Sequence, residues 1–114
     1  MNRRGPHDTL VKEAVRLLLL ALPRDRAFFW PNDTRGEYSE ILKRRKSGTY
    51  PGPADILGLV NGRHVELEAK TGKAVMSPAQ NEHREAVRKA GGVYEVFRDV
   101  EEPLAIVKRI MEEE

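Results

Sequence analysis

The dipeptide Asn61-Gly62 separates two runs of strand-forming residues, Asp55 to Val60 and Arg63 to Thr71, and it constrains the chain more than any other feature. A two-residue Asn-Gly connection is the strongest short-range hairpin signal, and it fixes which residues of the two strands face each other. Val60 then pairs with Arg63, Leu59 with His64, Leu57 with Glu66 and Ile56 with Leu67, which leaves Asp55 opposite Glu68. Side chains alternate between the faces of a strand. Ile56, Gly58 and Val60 therefore share an apolar, core-facing side with Val65, Leu67 and Ala69. Asp55 and Glu68 share the opposite side, with beta carbons about 5 Å apart, and Lys70 follows on the same face about 7 Å along.

Around this hairpin the periodicity predicts an α/β domain. Asp8 is positioned to cap a first helix, with apolar residues at Leu10, Val11, Ala14, Val15, Leu18 and Leu22 at a 3.6-residue period until Pro23. Ala27 to Trp30 reads as a short aromatic strand closed by Pro31-Asn32-Asp33. Residues 35–54 form an irregular connection, with a helical piece near 39–45. It is long for a small domain and so a candidate functional loop. After the hairpin, Ser77, Pro78 and Gln80 open a helix with a capping box. Ala79, His83, Ala86, Val87 and Ala90 are expected on its buried face, and Gly91-Gly92 ends it. Val93 to Phe97 is a strand, and Asp99 with Glu102 caps a last helix lined by Leu104, Val107, Ile110 and Met111. The order α-β-β-β-α-β-α suits a central mixed sheet of about four strands flanked by helices.

Composition limits the classes of function. A chain of 114 residues with 39% hydrophobic content reads as one domain, residues 1–114, with one core. No cysteine is present, which excludes disulfide scaffolds, thiol catalysis and Cys-ligated metal sites, and fits a reducing compartment. The longest apolar run, Leu17 to Leu22, is about a third of a membrane span, and no signal-peptide cleavage pattern follows it. A soluble intracellular, cytoplasmic domain is expected. The net charge is only +2, so any contact with nucleic acid must come from a local basic cluster.

Two carboxylates directly opposite each other repel, and a divalent cation between them reverses the sign of that interaction. Oxygen ligands of this kind suit Mg2+ or Mn2+, and an adjacent lysine can hold a water and stabilise charge developing on a phosphate. Asp55, Glu68 and Lys70 together describe phosphodiester hydrolysis. Glu and Lys are equally ordinary on an exposed strand face, where Glu66 and His64 sit without an assigned role, and Asp55 also suits turn punctuation after Pro53-Ala54. The three histidines, His7, His64 and His83, show no metal-ligand spacing, and His83 lies on the expected buried stripe as a core residue.

The ordered set Gly52-Pro53-Ala54-Asp55-Ile56-Leu57-Gly58, Glu68-Ala69-Lys70-Thr71-Gly72, Ser77-Pro78-Ala79-Gln80 and Gly91-Gly92-Val93 resembles the VRR-NUC nuclease domain of the PD-(D/E)xK superfamily. The resemblance spans roughly residues 8–107 in matching order, and it implies the restriction-endonuclease-like form of the α/β fold. By that resemblance Asp55 and Glu68 would bind Mg2+ or Mn2+ with the Ala69 backbone carbonyl, and Lys70 would orient or activate the attacking water. Gln80 would project toward the site from the following helix, although its capping box with Ser77 accounts for it equally well. The family tends to carry a supporting acid on its first helix. Glu13 is the first candidate and Asp8 the alternative, while a solvated ion-pair face with Lys12 and Arg16 also explains Glu13. One departure is visible: the residue before Asp55 is Ala54, with Pro53 one position earlier.

The resemblance further implies a metal-dependent DNA endonuclease. The standalone, phage-type branch of the family implies a homodimer, whose two active sites would suit a branched substrate such as a Holliday junction. The all-apolar Leu17 to Leu20 segment fits either deep burial or such an interface. Lys43-Arg44-Arg45-Lys46, Tyr50 and Arg84 are candidate DNA contacts, by shape more than by sequence. The alternatives are a non-catalytic DNA-binding module with the same fold, and a nuclease acting on linear or single-stranded nucleic acid.

Overall fold

The structure, a computed structural model, describes residues 5–32 and 52–113. Helix α1 spans Pro6–Ala21. It starts three residues earlier than Asp8 capping would allow: Gly5 is the N-cap, and no side chain caps the helix. Pro6 takes the first helical turn because its fixed φ is helical and its missing N–H has no intrahelical partner there. Asp8 lies instead in the first turn, where a negative charge suits the helix dipole. Leu10, Ala14, Val15 and Leu18 face the core. The leucine run divides sharply, with Leu18 only 1% exposed and Leu20 76% exposed.

Strands β1 (Ala27–Pro31), β2 (Ile56–Val60), β3 (Arg63–Ala69) and β4 (Val93–Phe97) form, among the described residues, one sheet in the order β1-β2-β3-β4. The first two pairings are antiparallel, and β3 pairs with β4 in parallel through the crossover helix α2, Pro78–Lys89. The hairpin register is the expected one, from Val60 opposite Arg63 to Ile56 opposite Leu67. Asn61 and Gly62 both have positive φ, 50° and 83°, as a two-residue turn of this hand requires. The last helix, α3, spans Glu102–Glu112. Glu102 supplies half of the expected cap, accepting from the backbone N–H groups of Arg98 and Asp99, while the Asp99 side chain makes no cap bond to the helix.

The two faces of the sheet are covered differently. On one, Ile56, Val60, Val65, Leu67, Ala69 and Phe97 pack against α1 and against Ile106, Val107 and Ile110 of α3. On the other, α2 lies over β4 and presents His83 edge-on to the fully buried Tyr94 ring. The buried face of α2 is narrower than its apolar pattern suggests: His83 is buried, whereas Ala86 and Ala90 are exposed. The outer side of β1 and β2 leaves Phe28, Trp30 and Leu59 partly exposed.

Gly58 sits opposite Phe29 in the β1–β2 register, and a β-carbon on Gly58 would collide with the Phe29 ring. Gly58→Ala is expected to destabilise the fold by roughly 1–3 kcal/mol through overpacking. Leu20→Ser, at an exposed position, should stay within about 0.5 kcal/mol of the parent. Chemical denaturation of both variants checks the contrast.

Candidate metal centre

Asp55 stands one residue before β2, where the hairpin register places it opposite Glu68. The approach to it is fixed on both sides. Asn32 at the end of β1 donates its backbone N–H to the Asp55 carbonyl at 2.7 Å and its side-chain amide to the Ala54 carbonyl at 3.0 Å. Across the hairpin, the Ala69 N–H donates to Asp55 Oδ2 at 3.0 Å. The N–H and C=O of one extended residue point to the same edge, so the Ala69 carbonyl also lies on the Asp55 side of β3.

Glu68 points outward from β3 and is 4% exposed. Its Oε2 accepts from Gln80 Nε2 at 2.9 Å and lies 3.2 Å from Lys70 Nζ. Lys70 Nζ in turn donates to Gln80 Oε1 at 2.9 Å. Gln80 therefore ties the acid to the base. The same Oε1 receives the Ser77 N–H at 2.9 Å, while Ser77 Oγ accepts the Gln80 N–H at 3.1 Å, so the capping box and the contact with Glu68 and Lys70 coexist in one side chain. Helix α2 is thereby anchored at its first turn onto the end of β3.

The third member of the cluster comes from α1. His7 Nε2 lies 3.0 Å from Asp55 Oδ2, and His7 Nδ1 lies 3.6 Å from Asp8 Oδ1. One ligand atom each from His7, Asp55 and Glu68 all fall within 4.8 Å of one another. A single cation with metal–donor distances of about 2.1 Å separates adjacent donors by about 3 Å and opposite donors by about 4.2 Å. A spread of up to 4.8 Å is wider than that, so the three groups would draw in slightly to hold one ion, and their donor set of two carboxylates and an imidazole suits a divalent metal.

Glu66, two residues before Glu68 on the same face, is as deeply buried and far better partnered. Its Oε1 accepts the Ala54 N–H at 3.1 Å and meets His83 Nε2 at 2.8 Å, and its Oε2 meets His64 Nε2 at 2.7 Å. One carboxylate thus joins β3, the residue preceding Asp55 and helix α2. Gly52, with φ +111°, closes the same junction: a β-carbon there would lie 2.7 Å from His83 Cβ and 2.9 Å from the Ala79 carbonyl.

The two neighbouring carboxyls are shifted in opposite directions. Burial acts to raise the Glu66 carboxyl, but bonds from His64, the Ala54 N–H and His83 hold it below the usual carboxylate range. Burial and the facing Asp55 carboxylate push Glu68 up from 4.5 to about 6, against the opposing pull of Lys70. The Tyr94 phenol is raised by its own burial and then by the Glu68, Glu66 and Asp55 carboxylates.

Of the residues singled out in the sequence, the structure brings together Asp55, Glu68, Lys70 and Gln80. Glu13 is exposed on α1, six residues beyond His7 and so about 9 Å along the helix axis. Asp8 lies beside His7. Arg84, one turn after Gln80, donates from Nη2 to Asn81 Oδ1 at 2.8 Å, and its Nε is buried with no partner among the described residues. Lys43, Arg44, Arg45, Lys46 and Tyr50, with the helical piece expected near 39–45, lie outside the described residues. Sequence reasoning missed His7, whose spacing signals nothing because its partner is 48 residues away. It also passed over Glu66, although the Glu66-x-Glu68 pattern on one strand face signals two carboxylates sharing an environment. His83 is buried as expected, but as the partner of a carboxylate.

The raised Glu68 carboxyl has a consequence for stability. The folded protein favours protonated Glu68, so this contribution is complete below about pH 4.5 and is lost as the pH rises through about 6. Without divalent metal, Glu68→Gln is therefore expected to be more stable than the parent near neutral pH by on the order of 1–2 kcal/mol. The advantage should disappear below the ordinary carboxylate range, and added divalent cation should stabilise the parent alone. Thermal melts across pH, with and without EDTA, check each part.

No protein-family model matches the chain, and no curated protein matches its sequence. Its fold is similar to that of a solved structure described as a VRR_NUC domain protein, with a TM-score of 0.68 over 97% of this chain and 92% of that chain, at 16% sequence identity. The four-stranded mixed sheet with flanking helices therefore shares the fold of that VRR_NUC domain protein, consistent with the restriction-endonuclease-like fold expected from the motifs.

Proposed function

We propose that this chain is a divalent-metal-dependent DNA endonuclease, selective for branched DNA such as a four-way junction and working as a homodimer. The observation that carries the proposal is the convergence of Asp55, Glu68, Lys70 and Gln80 at one end of the hairpin. The likeness of the fold to a VRR_NUC domain protein supports it. Asp55, Glu68 and the Ala69 carbonyl would hold Mg2+ or Mn2+. Such an ion, when bound, supplies Lewis acidity at the scissile phosphate and lowers the pKa of a bound water.

The remaining roles follow from the hydrogen bonds. Lys70 Nζ has three N–H donors, of which Gln80 takes one and Glu68 another. The third is left to hold a water for attack on phosphorus and to meet the charge that develops on the phosphate oxygens. Gln80 bridges Lys70 and Glu68 and so keeps the ammonium and the carboxylate in fixed relation as a phosphate approaches. The Glu66 contact with the Ala54 N–H holds the backbone that carries Asp55.

The basic run Lys43-Arg44-Arg45-Lys46, with Tyr50 and Arg84, is the proposed phosphate-backbone contact, since a net charge of +2 leaves no general attraction for DNA. Apolar surface left in the open at Leu19 and Leu20 on α1, and at Phe28, Trp30 and Leu59 on the sheet, supports association of two copies. No described helix is long and apolar enough to cross a membrane.

Cleavage of a labelled four-way junction and its matched linear duplex, with Mg2+, Mn2+ or EDTA, tests the proposal. The junction should be cut only with metal, and Asp55→Ala should abolish cutting. Lys70→Ala should lower the rate by about 100-fold or more while DNA binding persists. Equal cutting of the linear duplex would discard the preference for branched DNA. Binding without any cleavage would favour a non-catalytic DNA-binding module, and a monomer by sedimentation would discard the dimer.

A further inference from the structure

We infer that His7 supplies a nitrogen ligand to the same cation, so that the centre selects Mn2+ over Mg2+; this rests on the metal-dependent function proposed above. Three observations converge. His7 Nε2 hydrogen-bonds with Asp55 Oδ2 at 3.0 Å, a separation that adjacent donors on one ion also take. The same histidine belongs to the group whose donor atoms, with those of Asp55 and Glu68, fall within 4.8 Å of one another. Its other ring nitrogen, Nδ1, lies 3.6 Å from Asp8 Oδ1. That contact is longer than a hydrogen bond, but it places a carboxylate on the side of the ring away from Asp55, where the companion of a metal-binding histidine stands.

The position of His7 is set by the fold. Gly5 and Pro6 start α1 immediately before it, so His7 is held in the first helical turn. Leu10 and Ala14, one and two turns further on, are buried in the core. The ring is thus carried by an anchored helix to a site formed by a separate hairpin. Asp8, the alternative supporting acid of the sequence reading, lies beside His7.

The donor chemistry then decides the ion. Sites made of carboxylate, carbonyl and water suit Mg2+, which sheds its water reluctantly. An imidazole nitrogen is a borderline donor that strengthens binding of first-row transition ions and adds little for magnesium. Mn2+ accepts both carboxylate and imidazole ligands in the coordination that Asp55, Glu68 and His7 offer, so exchanging a nitrogen for an oxygen at position 7 shifts the balance between the two ions.

The test is metal binding to the intact protein without DNA. Mn2+ affinity would be read by electron paramagnetic resonance and Mg2+ affinity by competition, for the parent, His7→Glu, His7→Ala and Glu68→Gln. The parent is expected to show imidazole-nitrogen coupling to bound Mn2+ in pulsed spectra. That coupling should vanish in His7→Glu, and the Mn2+-over-Mg2+ preference should fall by about tenfold or more. His7→Ala should lose Mn2+ affinity more than Mg2+ affinity. Mn2+ that binds the parent and is lost in Glu68→Gln, but shows no nitrogen coupling or an unchanged preference in His7→Glu, would overturn this inference and leave the nuclease proposal standing. Failure of both ions to bind the parent would overturn the inference and the nuclease proposal together.

Discussion

Strand β3 buries two carboxylates, Glu66 and Glu68, two residues apart on one face, and the organisation around them depends on how each charge is met. An ionised carboxylate out of water costs several kcal/mol unless it is paired and hydrogen-bonded. Glu66 is well answered: two histidines and a backbone N–H engage both of its oxygens, and its carboxyl titrates below the usual range. Glu68 is answered only in part, because Lys70 and Gln80 share one oxygen while Asp55 repels it from across the hairpin. Neighbouring acids whose environments push them in opposite directions mark a division of labour. Glu66 holds the frame, and Glu68 is left with an electrostatic demand that a cation would satisfy.

That frame explains why helix α2 matters beyond its small buried face. It is fixed at two levels, by Gln80 on the Glu68–Lys70 pair and by His83 on Glu66 one turn later. Both contacts are polar and directional, so they set the rotation and height of the helix more tightly than apolar contact would. Gly52 lets the chain pass close against the same turn, and the Glu66 contact with Ala54 then delivers Asp55 to the opposite side of the cluster. The capping box that stabilises α2 and the side chain that orients the acid and the lysine are one residue, so local helix stability and the geometry of the site are coupled.

The position of the cluster in the sheet makes it accessible as well as polarised. The inner face of the sheet is closed by α1 and α3, and the outer face of β3 and β4 is covered by α2. Asp55 lies at the boundary between that cover and the partly exposed outer side of β1 and β2, with its side chain 26% exposed. Solvent reaches Asp55 and His7, while Glu68 and Lys70 lie deeper, at 5% and 11% side-chain exposure.

What the sequence determined by itself was local. Asn61-Gly62 set the hairpin register from Val60–Arg63 to Ile56–Leu67, and with it the facing of Asp55 and Glu68, because a two-residue turn leaves the strands no freedom to slip. Ser77, Pro78 and Gln80 set the start of α2, because a capping box closes within four residues. The start of α1 was misread at Asp8 because Gly5-Pro6 competes as a helix start and prevails. The tertiary structure alone decided which distant side chains meet the carboxylates of the hairpin. His7 reaches Asp55 across 48 positions and His83 reaches Glu66 across 17, and neither separation leaves a periodic trace. Those contacts arise from the angle at which each helix packs on the sheet, which is set by the sum of its core contacts and by no single stretch of chain.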